Sequence, residues 1–420
     1  MTNITKKFAT AIATGALLAQ AVAPIAFAET SLEISGNGAG SENEVTVKQT
    51  SSTNVEQKNV ANVTNKVNAD ADTGNNKANY NTGGEVMIDT GKAVVNAHVS
   101  NNLNTNVAEV ENCNCAQDTD VKVSGNGAFS DNKVNVSNRN NVELNQKNYA
   151  DVYNKVNVDA NSGDNSAGFN TGGDVVIMTG DAKTSAHVST AANANWAKIG
   201  SGHGDNGEVS LRILDNGAGS DNYISAYIKN DTELDQKNDA EVRNYVDADA
   251  DTGDNDANFN TGDGWVVIDT GNATVNASID NEVNFNAADV DCGCAYDLLA
   301  KIAGNGAEVG HNYNSEADNK IKATLEHYQD FDQKNYADLL NDYDGWTTST
   351  GDNEVSKNTA GSDTDPAVFT GDALVNVGVE NSGNSNILGD VSLPEVELPE
   401  VDFDLNWSAM WAFFGMSVNS

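Results

Sequence analysis

The sequence predicts an all-β repeat protein, a β-solenoid-like stack with coils of about 18 residues grouped into four repeats of about 90 residues. Three observations predict it. Gly38, Gly127, Gly217 and Gly306 each stand in an N-G-A phrase at spacings of 89, 90 and 89 residues. The phrases Gln57-Lys58-Asn59, Gln146-Lys147-Asn148, Gln236-Lys237-Asn238 and Gln333-Lys334-Asn335 repeat with them, as do Gly74, Gly163, Gly253 and Gly351. A fixed period over most of a chain marks a repeat architecture. Within each repeat, apolar and amide residues alternate with polar ones at period 2, the pattern of strands with two distinct faces.

The first 28 residues read as a secretory signal peptide. Lys6 and Lys7 precede an apolar run, and Ala26-Phe27-Ala28 is an A-x-A cleavage site. The run is too short and too rich in small residues for a membrane anchor. The mature chain is therefore expected outside the cell, on a bacterial surface, with no transmembrane span.

Repeat 1 spans 29–120, repeat 2 121–208, repeat 3 209–299 and a divergent repeat 4 300–390. In repeat 1, Val55, Gln57, Asn59, Ala61, Val63, Asn65, Val67, Ala69 and Ala71 occupy every second place, and Ala93, Val95, Ala97, Val99, Asn101, Leu103 and Thr105 do so later. Stacked inward amides can hydrogen-bond to their equivalents one coil away, as in cross-β ladders. Ala and Gly suit an interior expected to be too narrow for Leu or Phe. The shorter beat comes from Thr73-Gly74 and Thr90-Gly91, 17 residues apart, and its equivalents in repeats 2 and 3. The alternative is a string of tandem β-sandwich domains, which the period alone permits.

Repeat 4 carries about eight extra residues between Gly306 and Gln333, and divergent terminal repeats often cap a stack. A Pro-stiffened linker at 391–402 follows. The tail at 403–420 concentrates Phe403, Trp407, Met410, Trp411, Phe413, Phe414 and Met416. It is too short to span a bilayer, and is expected to cap the last coil or to dock into the next subunit.

The formal net charge of −39 disfavours nucleic acid and anionic membranes as partners. Four cysteines form two C-x-C pairs, Cys113 with Cys115 and Cys292 with Cys294. In an exported protein these are disulfide or intersubunit candidates. With 18-residue coils the pairs would lie about ten coils apart, on the order of 48 Å, too far to join within one chain. The phrases around Asp70 and Asp72, Asp159, and Asp247, Asp249 and Asp251 resemble an oxygen-rich calcium loop. Each lacks the closing bidentate Glu of an EF-hand. In a strand these carboxylates form an acidic stripe, so no cofactor is required and Ca2+ is the one the pattern allows.

Catalysis finds no constellation. His98 and His187 are one repeat position, Ser278 takes it in repeat 3, and no G-x-S-x-G, H-E-x-x-H or P-loop occurs. The phrases Gly74-x-Asn76-x-Ala78, Gly163-x-Asn165-x-Ala167 and Gly253-x-Asn255-x-Ala257 resemble, in part, the curlin repeats of bacterial amyloid fibres. The mature chain as a whole, with phrases such as Asn260-Thr261-Gly262-Asp263, is similar to secreted Asn/Asp/Gly/Thr-rich repeat proteins of bacterial surfaces. That resemblance implies a fibre or cell-surface role. The expected function is a non-enzymatic structural protein that polymerises with itself into a filament or layer. The competing expectation is a monomeric adhesin or cation-dependent module for surface carbohydrate.

Overall fold

The structure, a computed structural model, describes residues 18–22, 30–110, 118–200, 208–291, 297–306, 318–343, 345–359 and 365–389. Among them every regular element is a strand. Strand β1 (Leu18–Val22) is followed by four homologous sets. The first set is β2 (Thr30–Ser35), β3 (Glu42–Asp72), β4 (Val86–Asp89) and β5 (Ala93–Val110). The second is β6 (Thr119–Ser124), β7 (Asp131–Asn161), β8 (Val175–Met178) and β9 (Ala182–Ile199). The third is β10 (Glu208–Leu214), β11 (Asp221–Asp251), β12 (Val266–Asp269) and β13 (Ala273–Val290). The fourth is β14 (Asp297–Ala303), β15 (Asn319–Asp342), β16 (Thr347–Ser349), β17 (Ala367–Phe369) and β18 (Ala373–Leu388).

Each strand pairs in parallel with its equivalent in the next set. Gln57 lies beside Gln146, Gln146 beside Gln236, and Gln236 beside Gln333. Four sheets result, each running across the repeats. The chain is therefore a solenoid-like stack, and the tandem-sandwich alternative is excluded because no repeat forms sheets of its own.

The size of the coil differs from expectation. One whole repeat makes one coil, so there are four wide coils in place of many 18-residue ones. The beat of 17–18 residues marks two sides of a corner within a coil. Thr73 donates through Oγ1 to the carbonyl of Gly91 at 2.8 Å, and Ser162 does so to Gly180 at 2.7 Å. Thr252 and Thr350 repeat the contact with Gly271 and Gly371. Equal sequence steps arise because two turns face each other across one coil, and nothing in the spacing distinguishes that from successive coils.

Within a coil, the 31-residue strand forms one wall, roughly 100 Å long at about 3.3 Å per residue. The short first strand and the 18-residue strand form the opposite wall. Val45, Val134 and Ile224 pack on Val121, Val123 and Leu211 at one end. Val156, Val158 and Ala160 pack on Ala182, Ala186 and Val188 at the other. The interior is wider than its Ala content implied, since Leu144, Leu234, Ile177 and Ile228 are fully buried.

The alternation of the 18-residue strands holds to Leu103 and then shifts by one place. Asn104, Asn193, Asn284 and Asn384 have φ of 57°, 65°, 62° and 56°, a left-handed conformation that Asn tolerates. After Asn104 the inward set is Asn106, Ala108 and Val110, so Thr105 leaves it. The kinked amide is held in place: Asn104 and Asn193 donate to the carbonyls of Tyr149 and Asp239 at 2.6 and 2.8 Å.

Register also locates the additions to the last repeat. It is 89 residues at Leu214 and Ala303, 97 at Asn222 and Asn319, and 100 at Ala273 and Ala373. Extra residues thus enter between strands and leave the ladders in step.

Candidate assembly surface

The buried amides form continuous files along the stack. Asn65 donates through Nδ2 to Asn154 Oδ1 at 2.8 Å, Asn154 to Asn244 at 2.7 Å, and Asn244 to Asn341 at 2.8 Å. Asn59, Asn148, Asn238 and Asn335 repeat the arrangement at 3.0 Å per step. The glutamines donate the other way. Gln146 donates to Gln57 at 2.7 Å, Gln236 to Gln146 at 2.8 Å, and Gln333 to Gln236 at 2.6 Å. The amides also join the walls: Gln146 reaches the carbonyl of Trp196 at 3.0 Å, and Asn148 reaches Asn195 Oδ1 at 2.9 Å. An unpaired buried amide costs about 1–3 kcal/mol, so such a file is stable only when filled.

The two ends of the stack differ. In the third coil Val275 and Ile279 are 0% and 1% exposed. Their registered partners in the fourth, Val375 and Val379, are 40% and 44% exposed, and Val377 beside them is 48% exposed. Hence the inward face of the last coil opens along the stack axis. At the other end β1 lies in parallel beside β5, from Leu18 at Asn106 to Val22 at Val110. It falls inside the expected signal peptide.

Several ladders run along the outside. The rings of Tyr80, Phe169 and Phe259 stack at 5.0 and 4.8 Å, and the Lys357 ammonium lies 4.6 Å from the Phe259 centroid. All four residues have positive φ. His98 and His187 stack at 4.8 Å, and His187 Nδ1 lies 2.5 Å from Ser278 Oγ, so the repeated histidines sit in an outward file. These aromatic files escaped sequence reasoning because positions 89 residues apart become neighbours only once the register is known.

The acidic phrases are also files. Asp70, Asp159 and Asp249 stand side by side on successive coils, and Asp72, Asn161 and Asp251 form the next file. Asp247 aligns with Asn157 and Asn68. Burial first, then the carboxylates of Asp70, Asp249, Asp251 and Asp72, raises the Asp159 carboxyl above its ordinary value of 3.8. Burial also raises Asp251, against a lowering hydrogen bond from the Gly253 N–H, with Asp254, Asp164 and Asp352 adding to the rise. Asp254 is raised by burial and by Asp164 and Asp352. These carboxylates spread along the axis and do not converge. Among the described residues, no group of three or more His, Cys, Asp or Glu side chains is arranged to hold a metal ion.

The cysteines and the tail from Phe403 to Met416 lie outside the described residues. The strand ends that precede the C-x-C pairs, Val110 and Val290, are joined through Ile199 in two registered steps. That separation is about 10 Å in place of the expected 48 Å, because a repeat is one coil and not five. Distance therefore no longer separates the two pairs.

Among the described residues no helix is long and apolar enough to cross a membrane. Compared with protein-family models, with curated proteins and with solved structures, the chain matches none of them.

Proposed function

We propose that this chain is an exported structural protein of a bacterial surface that assembles with itself into a filament or layer, with no catalytic step. The observation that carries the reading is the open last coil, whose inward residues Val375, Val377 and Val379 are 40–48% exposed where the coil before buries its own. A flat, unprotected strand edge invites pairing with another chain. This edge includes β18, 16 residues long and free of proline. The stack is also much wider than tall. Four coils rise only about 15 Å from first to last at the usual strand spacing, against a wall of roughly 100 Å. The end surfaces therefore dominate the apolar area left in water.

Electron microscopy of the purified secreted protein tests the reading. Regular filaments or sheets are expected. Dispersed single particles would favour the competing role as a surface adhesin or carbohydrate-binding module. The acidic files supply the observation behind that second role, since Asp70, Asp159 and Asp249 concentrate negative charge on one face. Calcium-dependent retention on a polysaccharide column would support it.

A further inference from the structure

We propose that the partner at the open end is a second copy of this chain, seated head to tail, so that its first coil continues the register of the last coil of the copy before. The proposal rests on the self-assembly reading and fixes the junction within it. Three independent features of the end coils support it.

The first is the identity and direction of the buried amides. Carrying the register forward places Gln333 on Gln57, Asn335 on Asn59 and Asn341 on Asn65. On the opposite wall it places Asn381 on Asn101 and Asn386 on Asn106. Every pair is like on like, as inside the stack. The asparagine files donate towards the C-terminal coil, so Asn341 offers an N–H where Asn65 offers Oδ1. Two first coils placed together would set Asn65 Oδ1 against Asn65 Oδ1. Only a polar, head-to-tail junction extends the files.

The second feature is charge. The same register puts Lys320 beside Glu44 and Lys301 beside Glu33. Asp342 comes beside Lys66, and Glu354 beside Lys77. Glu44 and Glu33 already pair within the chain with Lys133 and Lys122, at 3.1 and 3.0 Å, so the junction repeats contacts the stack makes internally. The like-charged positions Glu56 with Asp332 and Lys58 with Lys334 are two residues apart on the same strands. They can pair diagonally, as Lys147 does with Asp235 at 3.4 Å. Glu42 over Asp318 remains as the unfavourable pair.

The third feature is glycine. A Cβ on Gly74, Gly163 or Gly253 would lie 2.0 Å from the carbonyl oxygen of the equivalent glycine one coil later, whereas a Cβ on Gly351 meets nothing. On the opposite wall a Cβ on Gly180, Gly271 or Gly371 would strike the glycine one coil earlier, and one on Gly91 meets nothing. Both end positions have kept a glycine that the isolated chain does not need. A neighbouring copy would need both, because Gly351 would close on the next Gly74 and Gly91 on the preceding Gly371.

The test uses the secreted chain with Gly351→Ala or Gly91→Ala, read by electron microscopy, sedimentation and thermal melting. Each variant is expected to melt as the parent does and to form no filaments. Gly351→Ala blocks only the trailing face and Gly91→Ala only the leading face, so an equimolar mixture is expected to give dimers and nothing longer. Filaments that persist in either variant overturn the junction while leaving self-assembly standing. Dimers of one variant alone overturn the head-to-tail polarity. A parent chain that stays monomeric overturns both the junction and the function it rests on.

Discussion

Gln146 and Asn148 stand two residues apart on one strand and donate in opposite directions along the stack. Gln146 reaches back to Gln57 Oε1 at 2.7 Å, and Asn148 reaches forward to Asn238 Oδ1 at 3.0 Å. Both are fully buried, so each file must be filled on both sides to avoid an orphaned amide. The antiparallel files make the two ends of the stack chemically different, which is what gives an assembly of such stacks a direction.

Replacing a member of a file removes hydrogen bonds to both neighbouring coils and leaves a cavity. Asn148→Ala is expected to lower stability by about 2–3 kcal/mol. Lys155→Ala, on the exposed face of the same strand, is expected to change it by under about 0.5 kcal/mol. Urea unfolding followed by circular dichroism measures both. Equal losses would show that the files do not hold the coils together.

The glycine file gives a sharper steric case. Gly163→Ala would bring Cβ within 2.0 Å of the Gly253 carbonyl oxygen, which is backbone and cannot swing aside. We expect a loss of about 3 kcal/mol or more, seen as a lower melting temperature or failure to accumulate in soluble form. Normal melting of Gly163→Ala would show that the coils can separate locally at this corner.

These residues show how far the sequence was legible. The period of 89–90 residues identified the files Gln57–Gln146–Gln236–Gln333 and Gly74–Gly163–Gly253–Gly351, and period-2 alternation put the amides inside. Both signals are local and survive in one dimension. The coil length was not legible, because Thr73 facing Gly91 across a corner gives the same spacing as Thr73 stacked on a following coil. The break at Asn104 was hidden too, since Asn occurs throughout the chain and only the backbone angle shows which one is kinked. The exposed end was invisible for a simpler reason: Val375 and Val275 occupy the same place in the pattern, and only one has a coil beyond it.

Acidity should favour the fold. Burial and neighbouring carboxylates raise Asp159, Asp251 and Asp254 above their ordinary 3.8, as burial and Glu354 raise Asp256. An acid raised in the folded state binds its proton more tightly there than in the unfolded chain. Its penalty is full above the folded value and is relieved as pH falls through that value towards 3.8. Asp181 acts in the opposite sense: a hydrogen bond from Lys92 lowers it, so its contribution is lost only as pH falls below the ordinary range. The melting temperature is therefore expected to rise from pH 7 to pH 5 and to fall again in stronger acid. Asp159→Asn should flatten the first change. A melting temperature that falls steadily from pH 7 would contradict the assignment.

Cation dependence follows from the same files. Asp70, Asp159 and Asp249 are spaced by the strand repeat, about 4.8 Å, and act as a line of charge open to solvent. Sodium and calcium chloride at equal ionic strength are expected to raise the melting temperature equally, through screening. A further rise confined to millimolar calcium, and lost in Asp159→Asn, would identify a bound ion.

The edge of β5 has two claimants. β1 pairs with Asn106–Val110 from within the expected signal peptide, and the junction register assigns that edge to Asn386 and the residues after it in a neighbouring copy. Parallel pairing on one edge admits one strand at a time. A precursor retaining residues 1–28, made with Ala28→Pro to block cleavage, is expected to remain unassembled at concentrations where the cleaved chain forms filaments. The same precursor without residues 18–22 should assemble. Light scattering after mixing, with electron microscopy of the end points, reads the difference. Equal assembly by precursor and cleaved chain would show that β1 does not hold the edge against a second copy.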